Sequence, residues 1–188
     1  RTITLIYKVV GNGTEAMSRM TAGAKLDLLT GLGNGFDPAV ECRRPLLVGG
    51  GVGVPPLYRL AKELSARGRE VTVALGFNTA AEIFYEDEFR ALGVKVFVST
   101  ADGSKGTKGF VTDAIRENAV EFDYFYACGP MPMLRALCEC CGQSGQLSFE
   151  ERMGCGFGAC MGCSCKTLAG NKRICKDGPV MKREEIIW

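Results

Sequence analysis

The order of apolar and polar positions changes character near residue 43. Before it, "TITLIYKVVG" alternates and is rich in β-branched residues, "GNGT" supplies a turn, and "AGAKLDLL" offers a second short alternating run. This predicts strands of a β domain, and the abrupt start predicts that partner strands lie before residue 2. From Pro45 the rhythm becomes strand and helix in turn. "PLLV" leads through glycines into the amphipathic "PLYRLAKELSARG", a helix expected to end at Gly68. "EVTVALGF", "VKVFVST" and "DYFYACGP" read as further strands; "AAEIFYEDEFRALG", "GFVTDAIRENAV" and "MPMLRALCECCGQSG" read as helices. Beyond residue 146 the alternation is lost.

Strands alternating with helices predict an α/β domain with a doubly wound parallel sheet and a ligand edge at the strand C-termini. The expected organisation is the tail of a β-barrel domain over 1–42, a nucleotide-binding domain over 43–146 and a small cysteine-bearing domain over 147–188. Composition narrows the function. The net charge of +2 gives no electrostatic drive toward nucleic acid or an anionic membrane. No apolar run approaches the roughly 18 residues of a membrane span, and no signal pattern is visible, which points to the cytoplasm. There is no histidine. That removes His-based acid–base catalysis, the serine triad and every mixed Cys/His zinc site, and no catalytic side chain is assigned.

"LLVGGGVGVPP" sets Gly49, Gly50, Gly51 and Gly53 between a strand and a helix, where glycine lets the backbone approach a pyrophosphate and the helix N-terminus favours an anion. It is neither G-x-G-x-x-G nor a phosphate-loop Lys-Ser/Thr motif, and a tight turn that binds nothing is the plain alternative. "ACGPMPML" brings Cys128, Gly129 and Pro130 to a second strand end on the same edge; Cys128 also suits a buried small apolar residue.

Ten cysteines could form a disulfide framework, but in a chain with a nucleotide-type turn their clustering favours metal or cluster ligation. Within "ERMGCGFGACMGCSCKT" and "RICKDGPV", Cys155, Cys160, Cys163 and Cys175 give C-x4-C-x2-C-x11-C, whose first three match plant-type 2Fe–2S spacing. The interleaved glycines let the loop curl and aim N–H groups at sulfur, and a hairpin turning at Gly170-Asn171 would return Cys175. A four-cysteine zinc site is the rival, although the shared Cys160 cannot serve two separate knuckles. Cys165 is left out as a fifth thiol; Cys138, Cys140 and Cys141 are read as core packing, and Cys42 is unassigned.

Together, "GGGVGVPP" and "YACGPMPML" resemble the pyridine-nucleotide domain of the ferredoxin reductase family. With the cysteine loop, the chain resembles the electron-transfer subunits of NAD-linked dihydroorotate dehydrogenases over nearly its whole length. The resemblance implies electron transfer between NAD(H), FAD and a 2Fe–2S cluster. It also implies a flavin-containing dihydroorotate dehydrogenase catalytic subunit as partner, in a heterotetramer serving pyrimidine biosynthesis. It further implies that Ile6, Tyr7 and Lys8 lie along the flavin and that Gly13 and Thr14 meet its pyrophosphate. From the residues alone, Thr14 reads equally well as an N-cap without a ligand. The family's first flavin segment does not occur in this sequence, and Leu32 stands where the family usually has proline in "TGLGNGF". Two further readings are an NADPH:ferredoxin or sulfide reductase subunit and a zinc-stabilised nucleotide-binding module. "GFNTAAE" carries no basic residue for a 2′-phosphate, so NAD is expected over NADP, with Asp102 as a ribose contact.

Overall fold

The structure is a computed structural model and describes residues 2–188. The chain divides after Gly31 into two compact units.

Among the described residues of the first unit, the one regular element is helix α1 (Asn12–Ser18). The strands expected in "TITLIYKVVG" and "AGAKLDLL" do not form. A strand needs a neighbour to satisfy its N–H and C=O groups, and among the described residues these segments have none. Their alternating apolar side chains, Ile3, Leu5, Tyr7 and Val9, stand exposed.

The second unit is built on a seven-stranded sheet. Its strands are β1 (Pro45–Gly50), β2 (Thr72–Phe77), β3 (Lys95–Thr100), β4 (Thr107–Lys108), β5 (Tyr124–Cys128), β6 (Gly145–Ser148) and β9 (Val180–Lys182). The spatial order is β4-β3-β2-β1-β5-β6-β9, parallel throughout except for antiparallel β9. The doubly wound parallel sheet is therefore present. The boundary expected at 146/147 falls inside β6, because β6 and β9 extend the same sheet.

Helices α2 (Val54–Ala66) and α3 (Glu86–Ala91) cover one face; α4 (Val111–Glu117) and α5 (Met131–Cys140) cover the other. Strand alternation divides β1 between them: Leu46 and Val48 join Ile115, Leu134 and Leu137, while Leu47 joins Leu57, Leu60 and Phe89. Helix α2 stops as expected at Gly68 (φ +75°), whose N–H reaches the carbonyl of Ser65. The helix expected over "AAEIFYEDEFRALG" is shorter. A 3₁₀ turn at Ala80–Glu82 precedes it, and Tyr85 takes a left-handed φ of +66°. Tyr85 packs edge-on against Tyr58 and Phe84, so aromatic packing overrides helix continuity there.

Strands β7 (Ser164–Thr167) and β8 (Gly170–Arg173) form a separate hairpin. Its register pairs Thr167 with Gly170, so the turn is Leu168-Ala169 and not Gly170-Asn171; Gly170 supplies the positive φ just after it.

Candidate functional site

The strand order reverses between β1 and β5, which makes their C-terminal ends the switch-point crevice of the sheet. Gly49 and Cys128 are register partners there. A Cβ on Gly50 would meet Met133 Sδ at 2.6 Å, and one on Gly129 would meet Met133 Cε at 2.5 Å. These two glycines let the strand ends pack under Met133. Gly51 differs: its φ is +50° and nothing lies within 4 Å of a Cβ placed there. It is the open glycine of the turn, where a phosphate has room to approach. Sequence reasoning assigned the phosphate to the helix N-terminus as well. Pro55 and Pro56 have no N–H, so the first turn of α2 keeps its dipole but loses two donors.

Cys128 ends β5, and burial pushes its thiol up, so it remains a neutral thiol at this edge. Asp102 lies just past β3 on the same edge. Its Oδ1 accepts hydrogen bonds from the N–H (2.9 Å) and hydroxyl (2.6 Å) of Ser104, which hold the carboxyl below the usual carboxylate range. The Ser104 hydroxyl in turn accepts the Ala80 N–H at 2.7 Å, tying the β3 loop to the end of β2. One acidic group escaped the sequence reading: Glu82, whose carboxylate accepts from the Asn78 N–H and amide, stands at the end of β2.

In the first unit, Thr14 lies inside α1 and does not precede it. Its hydroxyl accepts from the N–H groups of Val10 and Gly11 and donates to the Gly11 carbonyl, which saturates it. Its side chain shapes the turn. Ile6, Tyr7, Lys8 and Gly13 are exposed.

The cysteine loop presents its four thiols as two pairs. Within each pair a backbone N–H of one cysteine donates to the sulfur of the other: Cys160 N–H to Cys155 at 3.5 Å and Cys175 N–H to Cys163. Backbone donors aim at sulfur: Ala159 N–H to Cys155 at 3.2 Å, Gly162 N–H to Cys160 at 3.5 Å and Cys175 N–H to Cys163 at 3.4 Å. The N–H groups of Cys160 and Phe157 pull the Cys155 thiol down to about 6, and that of Cys175 lowers Cys163. Burial raises Cys175, so within its pair Cys163 is the more readily ionised. Positive φ at Gly156 and Gly158 bends the loop so that these donors face inward.

N–H donors directed at sulfur, with Cys155 and Cys163 lowered by them, are what an iron–sulfur cluster requires, and the donor set fits one. Among the described residues no three Cys, Asp or Glu side chains surround one point closely enough for a single ion.

The other cysteines separate by burial; all ten are free thiols. Cys165 packs its sulfur 3.7 Å from Met181 Sδ, away from the set. Cys42, Cys138 and Cys141 are buried as core. Cys140, read as core, is instead exposed beside Cys141, because α5 ends there and turns its last residue outward.

Comparison with known proteins matches this arrangement piece by piece. The profile of the iron–sulfur cluster binding domain of dihydroorotate dehydrogenase B covers residues 150–187, and that of the oxidoreductase NAD-binding domain covers residues 47–139. The chain is 47% identical to the dihydroorotate dehydrogenase B (NAD(+)) electron transfer subunit of Fusobacterium nucleatum subsp. nucleatum, over 98% of this chain and 74% of that one. The corresponding subunit of Geobacillus sp. (strain WCH70) is 51% identical over 100% of this chain and 75% of its own. The chain belongs to the dihydroorotate dehydrogenase B electron-transfer subunit family.

Within this dihydroorotate dehydrogenase B family, the cluster-binding profile spans all four cysteines of the two pairs, and the NAD-binding profile spans the glycine turn and Cys128–Pro130. A solved NADH-dependent reduced ferredoxin–NADP oxidoreductase, studied for flavin-based electron bifurcation, superposes with a TM-score of 0.85. It is 35% identical over 97% of this chain and 67% of that one. No described helix is long and apolar enough to cross a membrane.

Proposed function

We propose that this chain is the electron-transfer subunit of an NAD-linked dihydroorotate dehydrogenase, working with a flavin-containing catalytic subunit in a cytoplasmic heterotetramer of pyrimidine biosynthesis. The observation that carries the reading is the union, in one chain, of a switch-point glycine turn and a four-cysteine loop with N–H donors on sulfur. By function the chain then divides into a flavin segment (1–42), an NAD segment (43–146) and a cluster segment (147–188).

When bound, nicotinamide exchanges a hydride, FAD exchanges electrons in pairs or singly, and a 2Fe–2S cluster carries one electron at a time. The chain's residues bind and orient these groups. Gly51 leaves room for the dinucleotide pyrophosphate, with Gly49, Gly50, Gly53, Gly129 and Pro130 forming the tight floor beside it. Cys128 supplies a small neutral side chain near the nicotinamide. The free Oδ2 of Asp102 is available to a ribose hydroxyl. Ile6, Tyr7 and Lys8 offer an exposed apolar and basic stretch to the flavin ring. Gly13 and the N–H groups of the Thr14 turn meet its phosphates. Cys155 with Cys160, and Cys163 with Cys175, hold the cluster.

NAD is favoured over NADP on charge. Glu82 stands at the end of β2 and Asp102 just past β3, and Lys105 is engaged with Glu86 at 2.6 Å. The steady-state kcat/KM of the full-length protein with its partner should be at least tenfold higher with NADH than with NADPH. Equal values would mean that another cation, such as Lys108, receives the 2′-phosphate. The visible spectrum of the same preparation tests both prosthetic groups.

A second reading, a ferredoxin-linked reductase subunit, is favoured by the 35% identity to the solved oxidoreductase. Reduction of NAD⁺ by dihydroorotate in the reconstituted complex separates the two; reduction supported only by ferredoxin would select the second.

A further inference from the structure

The cysteine loop is fastened by a side chain that binds no ligand itself. Arg173 ends β8, two residues before Cys175. Its Nη1 donates to the carbonyl of Gly158, midway between Cys155 and Cys160, at 3.0 Å. Its Nε and Nη2 form a fork on Asp177, at 2.9 and 3.2 Å, and Asp177 Oδ2 also accepts the Arg173 N–H at 2.9 Å. Gly158 has a φ of +89°, which favours glycine, and a Cβ there would meet Lys176 Cδ at 2.8 Å and Arg173 Nη1 at 3.4 Å.

Asp177 is itself held from far along the chain. The Asn34 N–H donates to the Gly178 carbonyl at 2.6 Å, and its amide donates to Val180 at 3.0 Å and to the Asp177 carbonyl at 3.4 Å. Its carbonyl accepts the Val180 N–H at 2.9 Å. A Cβ on Gly33 would stand 2.2 Å from the Gly178 oxygen, so the two loops lie backbone to backbone. Arg173 is thus fixed on one side by Asn34 through Asp177 and fixes the Cys155–Cys160 bend on the other.

We propose that Arg173 is a positioning residue for the thiol set: oriented by Asp177, it pins the Cys155–Cys160 bend to the strand returning to Cys175 and keeps a fixed positive charge against the loop. This rests on the 2Fe–2S reading above. Four thiolates around two irons make an anion that gains a further negative charge on reduction, so a fixed neighbouring cation favours the reduced form. Arginine suits the role because its planar fork serves Asp177 and Gly158 together, which the point charge of lysine cannot do.

The test uses the full-length holoprotein with wild type, R173K, R173M and D177N, measuring bound iron, the EPR spectrum of the reduced cluster and its midpoint potential. NADH-to-dye activity serves as a fold control. R173M should lower the reduction equilibrium constant about tenfold, equivalent to ~59 mV for one electron. R173K should keep most of the potential but change the EPR line shape, because it retains charge and loses the fork. D177N should change the EPR line shape as R173K does, because the fork loses its anchor, without the fall in potential of R173M, because it removes an anion and not the cation. If R173M fails to load iron, R173K and D177N decide. Wild-type potential and spectrum in every iron-loaded variant, even with lowered thermal stability, would reduce Arg173 to a structural prop and overturn the proposal. Absence of iron from the wild type would instead overturn the cluster reading on which it rests.

Discussion

A Cβ on Gly53 would stand 2.2 Å from the carbonyl oxygen of Cys128, so the turn after β1 and the end of β5 touch backbone to backbone. Gly51, two residues earlier, has open space around it and a φ of +50°. The two glycines therefore answer to different constraints, packing in one case and conformation with ligand access in the other. Gly53→Ala should force the strand ends apart and cost about 1–3 kcal/mol, toward the upper end because the obstacle is backbone. Gly51→Ala should cost about 1–2 kcal/mol from its left-handed backbone and chiefly raise the KM for NADH. Denaturant unfolding and steady-state kinetics on the two variants check this. A Gly53→Ala protein as stable as wild type would contradict the packing assignment.

The spacing of the four cysteines and the N–H donors on their loop predict which cysteines hold iron. Serine at Cys155, Cys160, Cys163 or Cys175 should reduce bound iron to a small fraction of wild type. Cys165→Ser should retain it in full, since that sulfur packs on Met181. Iron analysis of the five purified variants distinguishes these cases. Full iron in Cys175→Ser, or loss in Cys165→Ser alone, would reassign the fourth ligand.

Phe157 and Met161 lie between the ligands and are 59% and 48% exposed, so both are accessible to a partner. An electron-transfer partner must approach the loop closely, and both residue types are favoured in interface cores. Phe157→Glu and Met161→Glu should each weaken co-purification with the catalytic subunit at least tenfold while leaving iron content and NADH-to-dye activity unchanged. Wild-type yield of complex from both variants would move the docking surface elsewhere.

Glu86 is a buried carboxylate facing two cations, Arg90 at 2.9 Å and Lys105 at 2.6 Å. Burial opposes its ionisation most strongly, but the hydrogen bonds from Lys105 and Arg90 outweigh it and hold the carboxyl below its usual range. A carboxyl lowered on folding contributes stability that is present above its unfolded value, near 4.3, and lost as pH falls through the folded one. Glu86→Gln should cost about 1–2 kcal/mol at neutral pH, a modest figure because both cations are half exposed. The gap between variant and wild type should close below about pH 4. Urea midpoints measured from pH 3 to 7 report it, and a gap independent of pH would assign the effect to packing.

The sequence alone determined the parallel α/β core, because apolar strand runs and helical stripes are local patterns set by backbone geometry. It also determined the spacing of the four cysteines, since ligand spacing is written in chain order. Gly68 announced the end of α2 for the same reason. Tertiary structure decided the rest. β6 and β9 were hidden because a four-residue and a three-residue strand carry too little pattern to separate from loop, and only pairing with β5 and with each other makes them strands. The strands expected in residues 2–31 failed in the opposite way: alternation was present, and among the described residues no partner was. The hairpin turn moved to Leu168-Ala169 because cross-strand register, rather than the glycine itself, sets where a turn falls. Asn34, Arg173 and Asp177 were unmarked because their meaning lies in contacts across up to 146 residues of chain. Distance along the chain carries no signal of such contacts; only folding brings Asn34 to Val180 and Arg173 to Gly158.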